Sequence, residues 1–142
     1  MSKKETVIQF GEGGFLRGFV DYFFQKLKEQ NLFDGSVVVV QPIERGMCEM
    51  LEKQNCEYNL FLRGIDNGQV VDEHTHIDVI SRCINPYTDN EGYMALAENP
   101  DFRFIVSNTT EAGIEFVPEN RFEDAPAKSF PGKLTQLLYK RY

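Results

Sequence analysis

Between an apolar stretch, Val7-Ile8-Gln9-Phe10, and a run whose phenylalanines recur at helical spacing stand four residues, Gly11-Glu12-Gly13-Gly14, three of them glycine. A strand that ends in such a turn and opens at once into a helix commits the chain to an α/β design, because the helix must carry it back to start a parallel neighbour. The helix predicted over residues 14–30 places Phe15, Phe19, Val20, Phe23, Phe24 and Leu27 on one side. The same junction gathers unpaired backbone N–H groups at the positive end of a helix dipole, an arrangement that receives a pyrophosphate.

The rest of the chain keeps switching its apolar period between two and about 3.6, as alternating strands and helices do. A strand is predicted over 6–10 and another over 36–41, whose four consecutive valines suit a central parallel strand covered on both faces. Pro42 ends it, and a helix over 44–54 turns Met47, Met50 and Leu51 inward. Residues 58–65 and 69–84 read as an antiparallel hairpin around Asp66-Asn67-Gly68, since Asn-Gly tolerates the positive φ of a tight turn. A helix over 89–98, a buried strand over 102–107 and a helix over 129–142 complete the order, the last with Leu134, Leu137, Leu138 and Arg141 along a stripe. The expected fold is a Rossmann-like, doubly wound, mostly parallel sheet with a hairpin insertion, in one domain over 1–142. Such a sheet should continue beyond the last helix, so the domain is expected to be incomplete.

Charge and cysteine usage narrow the function classes. A net charge of −7 opposes broad nucleic-acid binding, which needs a shared face of Lys and Arg. No run of about 18 apolar residues exists to cross a membrane, and the apolar stretch behind Lys3 and Lys4 is too short for a secretory leader. Cys48, Cys56 and Cys83 are odd in number and not closely paired, which fits a reducing compartment, and the cytoplasm is the simple reading.

The glycines match a dinucleotide fingerprint incompletely. Gly11 and Gly13 fall on its first two positions, but Leu16 occupies the third, and an ordinary strand-to-helix turn stays open beside a nucleotide site. Arg17 opposes the helix dipole in the first turn and so fits either an anion partner or solvent. Gln41 stands where an acid usually holds the adenosine ribose. Its amide can bond ribose hydroxyls, and Arg45 is near enough to meet a 2′-phosphate, so NAD and NADP both remain open. Asp34 precedes the second strand and is not a ribose ligand. Asp72, His74, His76 and Asp78 alternate along one strand face, a metal half-site by ligand type, though the wet face of an edge hairpin explains them better. Cys48 and Cys56 read as small buried residues rather than a redox pair.

Several segments together carry a family resemblance: residues 9–21 (QFGEGGFLRGFVD), 41–46 (QPIERG), 62–65 (LRGI), 67–74 (NGQVVDEH), 84–87 (INPY) and 107–114 (SNTTEAGI). They resemble the mannitol dehydrogenase family of long-chain polyol dehydrogenases over nearly the whole chain. Relatives acting on mannitol or fructuronate tend to carry His where Leu16 stands, which favours the altronate branch. The resemblance implies a cytoplasmic NAD-dependent oxidoreductase of hexuronate catabolism that interconverts D-tagaturonate and D-altronate by direct hydride transfer without metal. It implies cofactor contacts at Gly11, Gly13, Gly14, Phe15 and Arg17, with Asn108, Thr109, Thr110 and Glu111 bordering the nicotinamide side; those four otherwise read as a polar loop and helix cap.

No catalytic residue is assigned. The family's Lys-x4-Asn-x2-His arrangement does not occur, and Lys133 and Lys140 lack its followers, so the chain is expected to be an N-terminal cofactor-binding portion that stops before a helical catalytic domain. The expected partner is a small sugar acid, with neither nucleic acid nor membrane, and exposed apolar surface would favour self-association. Two other readings stay open: another reductase of the family, for fructuronate or a polyol, and a non-catalytic nucleotide-binding module.

Overall fold

A computed structural model describes residues 3–142. Four parallel strands form the main sheet in the order β5-β2-β1-β6: β1 Glu5–Phe10, β2 Ser36–Val40, β5 Ile80–Ile84 and β6 Phe104–Ser107. Helices α1 Asp21–Glu29, α2 Cys48–Lys53, α3 Asn90–Ala95 and α4 Phe130–Arg141 flank it. A hairpin of β3 Tyr58–Asp66 and β4 Gln69–Ile77 stands apart as a two-stranded sheet, with Asn67 and Gly68 both at positive φ in its turn. β1 has β2 on one side and β6 on the other, so strand order reverses there, and the crevice outside the carboxyl ends of β1 and β6 is the topological switch point.

The period-two pattern of β1 and β2 divides two apolar cores. Val7, Val37 and Val39 pack with Cys48, Leu51, Cys56, Ile77 and Val79 on the face carrying α1, α2 and the hairpin. Ile8, Phe10, Val38 and Val40 pack with Tyr93, Leu96, Phe102 and Leu137 on the face of α3 and α4. Valines 37–40 are all fully buried, which is why the run reads as a central strand, and each contributes roughly 1.5–3 kcal/mol of burial.

Four local expectations change. The long second hairpin strand expected over 69–84 is two elements, because β4 ends at Ile77 and Ile80–Ile84 joins β2 in the parallel sheet. An apolar run buried in either sheet looks alike in sequence. Helix α2 starts at Cys48, since residues 44–47 are held as a loop by side-chain bonds described below. β6 lies at the edge of the sheet and is not buried: Phe104 is 45 % and Ile105 38 % exposed. The first helix begins with a π-helical turn, Leu16–Val20, and its expected core stripe is split: Phe24 packs against the core, whereas Phe15, Phe19, Phe23 and Leu27 are exposed, Phe15 stacked on Phe19 and Phe19 edge-on to Phe23, while Asp21 and Gln25 are buried.

Candidate functional site

At the carboxyl end of β1, Gly11 takes φ +123°, and a Cβ there would meet Leu16 Cδ1 at 3.0 Å. Leu16 is buried, so the residue that breaks the fingerprint's third glycine is the one packed over the first. Gly13 and Gly14 are exposed, and a Cβ on either would meet nothing within 4 Å. Glycine here leaves the approach to the helix start clear, as a pyrophosphate requires. The chain then tightens: Arg17 N–H donates to the Gly13 carbonyl and Asp21 N–H to that of Leu16, five residues back. Single π-helical turns of this kind are frequent at functional sites.

Beside this turn a groove of about 340 Å³ is lined by Phe10, Gly11, Pro42, Ile43, residues 108–110 and residues 128–130, among others. It lies across the carboxyl ends of β1, β2 and β6, where open α/β sheets take ligands. Asn108, Thr109 and Thr110 line it, and Glu111 does not. Phe15 is 58 % exposed on the outer side of the helix start, stacked on Phe19. A separate cavity of about 260 Å³, over α4 between Phe116, Phe122 and Gln136, does not include the glycine turn.

Arg17 and Gln41 are engaged by the protein itself. Arg17 Nε donates to the Glu12 carbonyl at 2.8 Å and its guanidinium lies 5.4 Å from the centre of the Tyr58 ring, so it braces the turn. Gln41 is buried; its Nε2 donates to the carbonyls of Ile43 and Glu44, and its Oε1 accepts from Cys48 N–H. Both amide hydrogens are occupied, and the expected ribose contact from the Gln41 side chain is corrected to a clip that shapes the loop after β2. Arg45 is exposed on that loop.

Three groups of functional interest escaped the sequence reading. Glu12, buried between two glycines, accepts Met47 N–H at 3.0 Å through Oε1 and so ties the β1 turn to the β2 loop, while its Oε2 has no partner. An acid set in an anion-receiving turn was the available signal. Asp21 is fully buried with Gln9 as its hydrogen-bond partner, and burial pushes its carboxyl up to about 7. Lys133, on the opposite face, is fully buried; Nζ donates to Tyr87 Oη at 2.8 Å and to the Lys128 carbonyl at 3.1 Å, and burial pulls its amine down to about 8. Lys140 pairs with Glu98 at the surface.

His74 and His76 stand on the wet face of the hairpin, both facing Asn59 Oδ1, and His76 also faces Glu57. Among the described residues no group of three or more His, Cys, Asp or Glu side chains is arranged to hold a metal ion. The three cysteines are free and buried; burial raises the Cys56 thiol to about 12, and a hydrogen bond with Cys48, then burial, raises that of Cys83. Thiols so disfavoured as thiolates are poor nucleophiles. Among the described residues no helix is long and apolar enough to cross a membrane.

The family model for the mannitol dehydrogenase Rossmann domain matches residues 5–142. The chain belongs to the mannitol dehydrogenase family. Within that family it is 59 % identical over 140 residues to the altronate oxidoreductase of Phocaeicola vulgatus, covering 99 % of this chain and 29 % of that one. It is 56 % identical to the altronate oxidoreductase of Bacteroides thetaiotaomicron, covering 100 % and 30 %, and 49 % identical to that of Bacillus subtilis, covering 97 % and 29 %. The chain thus spans under a third of the length of these relatives. The mannitol 2-dehydrogenase of Pseudomonas fluorescens, solved as a ternary complex with NAD and D-mannitol, shares the fold with a TM-score of 0.80 at 19 % identity, over 98 % of this chain and 31 % of that one.

Proposed function

We propose that this chain is the NAD(H)-binding part of an altronate oxidoreductase, which interconverts D-altronate and D-tagaturonate. The observation that carries the reading is the open glycine turn at the switch point, with Gly11 at positive φ, bare Gly13 and Gly14, and residues 108–110 across the groove. The high identity to proteins named altronate oxidoreductase supports the substrate. Gly13 and Gly14 receive the pyrophosphate on backbone N–H groups, Phe15 covers its outer side, and Asn108, Thr109 and Thr110 border the nicotinamide. Arg17 holds the turn from behind. The cofactor, when bound, accepts or supplies the electron pair of the alcohol–ketone interconversion.

NAD is preferred over NADP in this reading because the buried Glu12 carboxyl stands where the β1 turn meets the loop after β2. A carboxylate there opposes a 2′-phosphate. No proton-transferring role is assigned to Lys133, sealed behind Tyr87, or to Lys140, paired at the surface. In this reading the chain alone binds NADH without reducing tagaturonate.

A domain exchange tests the assignment. Placed in the altronate oxidoreductase of Bacteroides thetaiotaomicron in exchange for the matching segment, this chain should sustain NADH-dependent tagaturonate reduction and favour NADH over NADPH. A folded chimera that binds neither cofactor would remove the reading; one that reduces only fructuronate or a polyol would move it to another branch of the family.

A further inference from the structure

The mainly apolar face of the sheet that packs α1 carries a buried polar seam at the glycine turn. Gln9 follows Val7 on that face, is fully buried, and donates through Nε2 to the Gly11 carbonyl at 3.1 Å and to Asp21 Oδ2 at 3.1 Å. One amide therefore links the glycine turn to a carboxyl that sits just past the π-helical turn. Two buried oxygens in this seam, Gln9 Oε1 and Asp21 Oδ1, have no donor. An ionised Asp21 adds acceptors but no hydrogen to this seam, whereas a neutral carboxylic acid carries one hydrogen to donate. The groups facing Asp21 are Gln9 from β1, Arg17 from the π-helical turn and Tyr58 from β3. Arg17 makes no ion pair with it; its Nε is turned to the Glu12 carbonyl, and the Tyr58 hydroxyl donates to the Arg17 carbonyl at 2.7 Å. Burial outweighs the help these groups give the anion, and the carboxyl lies at about 7.

We propose that Asp21 is a proton-carrying positioning residue: in its neutral form it holds Gln9 against the Gly11 carbonyl and keeps the turn in its anion-receiving shape, so that dinucleotide binding takes up a proton. The dinucleotide half of this rests on the reading given under Proposed function. Asp21 lies about 10 Å along the helix from its start at Gly14. A negative charge at that depth opposes a pyrophosphate at the helix start. At an effective dielectric near 20 this changes affinity roughly tenfold.

The test is a pH titration of the chain, uniformly labelled with 13C and 15N, together with NADH titrations at pH 6 and pH 8.5 for the wild type and Asp21→Asn. The Asp21 carboxyl and the Gly11 amide should shift with one shared midpoint near neutrality. NADH should bind roughly tenfold tighter at the lower pH, and calorimetry in buffers of different ionisation enthalpy should show proton uptake. Asp21→Asn, whose amide supplies the missing donor, should bind with the low-pH affinity at both pH values and abolish the Gly11 titration. An Asp21 carboxyl that titrates in the usual acid range, a Gly11 amide indifferent to that titration, or an Asp21→Asn chain that keeps the pH dependence would overturn the proposal. If Asp21 and Gly11 titrate together but NADH binds at no pH, the dinucleotide site is what fails and the link between carboxyl and turn stands.

Discussion

Asp21 and Lys133, both fully buried, lie on opposite faces of the parallel sheet and are held in opposite ways. Asp21, under α1, has a single amide partner that also grips the glycine turn. Lys133, under α4, has two oxygen acceptors, Tyr87 Oη and the Lys128 carbonyl, which meet a charged amine well without a counter-ion. Both are displaced toward neutrality by burial, the acid up to about 7 and the amine down to about 8. The difference is what each would lose on neutralisation: the lysine loses the charge its acceptors favour, while the aspartate gains the hydrogen its neighbourhood lacks. One face carries a structural cation and the other a proton site wired to the turn.

The largest effect expected from this contrast is on stability. Asp21 is raised above its unfolded value of 3.8, so between about pH 4 and 7 the folded chain keeps a proton that the unfolded chain has released, and stability falls across that window. Above it the penalty is complete, on the order of 4 kcal/mol for a shift of this size. Asp21→Asn should therefore stabilise the fold by up to that amount at pH 8 and by nothing near pH 4, measured by urea unfolding at both values. Equal midpoints for wild type and variant at pH 8 would break the comparison.

Gly11→Ala comes next. Positive φ and the 3.0 Å approach to Leu16 should cost roughly 1–3 kcal/mol of stability and all measurable NADH binding, read by thermal melting and fluorescence titration. On the other face, Lys133→Met should lie within about 1 kcal/mol of wild type at pH 7, because relief of a buried charge is offset by two acceptors left unmet. The sign for wild type follows: the amine is lowered from 10.5 to about 8, so this residue's penalty is full below pH 8 and fades as pH rises toward the unfolded value. A gain for Lys133→Met as large as that for Asp21→Asn would erase the distinction between the faces. Smallest of all, His74→Ala and His76→Ala, on the wet face of the hairpin, should each change stability by under about 0.5 kcal/mol and leave NADH affinity unchanged.

Periodicity and turn chemistry made most of the architecture legible. The four valines of β2, the glycine turn and the Asn67-Gly68 hairpin were each readable because one local rule decided them. The break at Asp78 and Val79 was not, since Ile80–Ile84 looks equally apolar whether it prolongs the hairpin or enters the sheet. The helix stripe misled for a related reason: a π-helical turn shifts the register, so Asp21 and Gln25 rotate inward and Phe15, Phe19 and Phe23 rotate out. At the site, glycines and the 108–110 loop were legible through their position at strand ends. Gln41 was not, because an amide suits a ribose and a loop carbonyl equally, and only the fold shows that the loop occupies it. Glu12 and Asp21 were missed because burial of an acid is a tertiary fact.

The most direct test of the central claim is a fluorescence titration of NADH into the chain at pH 7, with far-UV circular dichroism confirming the fold and Gly11→Ala as the control. Saturable binding at one NADH per chain, weakened by NAD and lost in Gly11→Ala, is the predicted result. A folded wild-type chain that leaves NADH fluorescence unchanged, or binds it equally well with Gly11→Ala, would contradict the assignment.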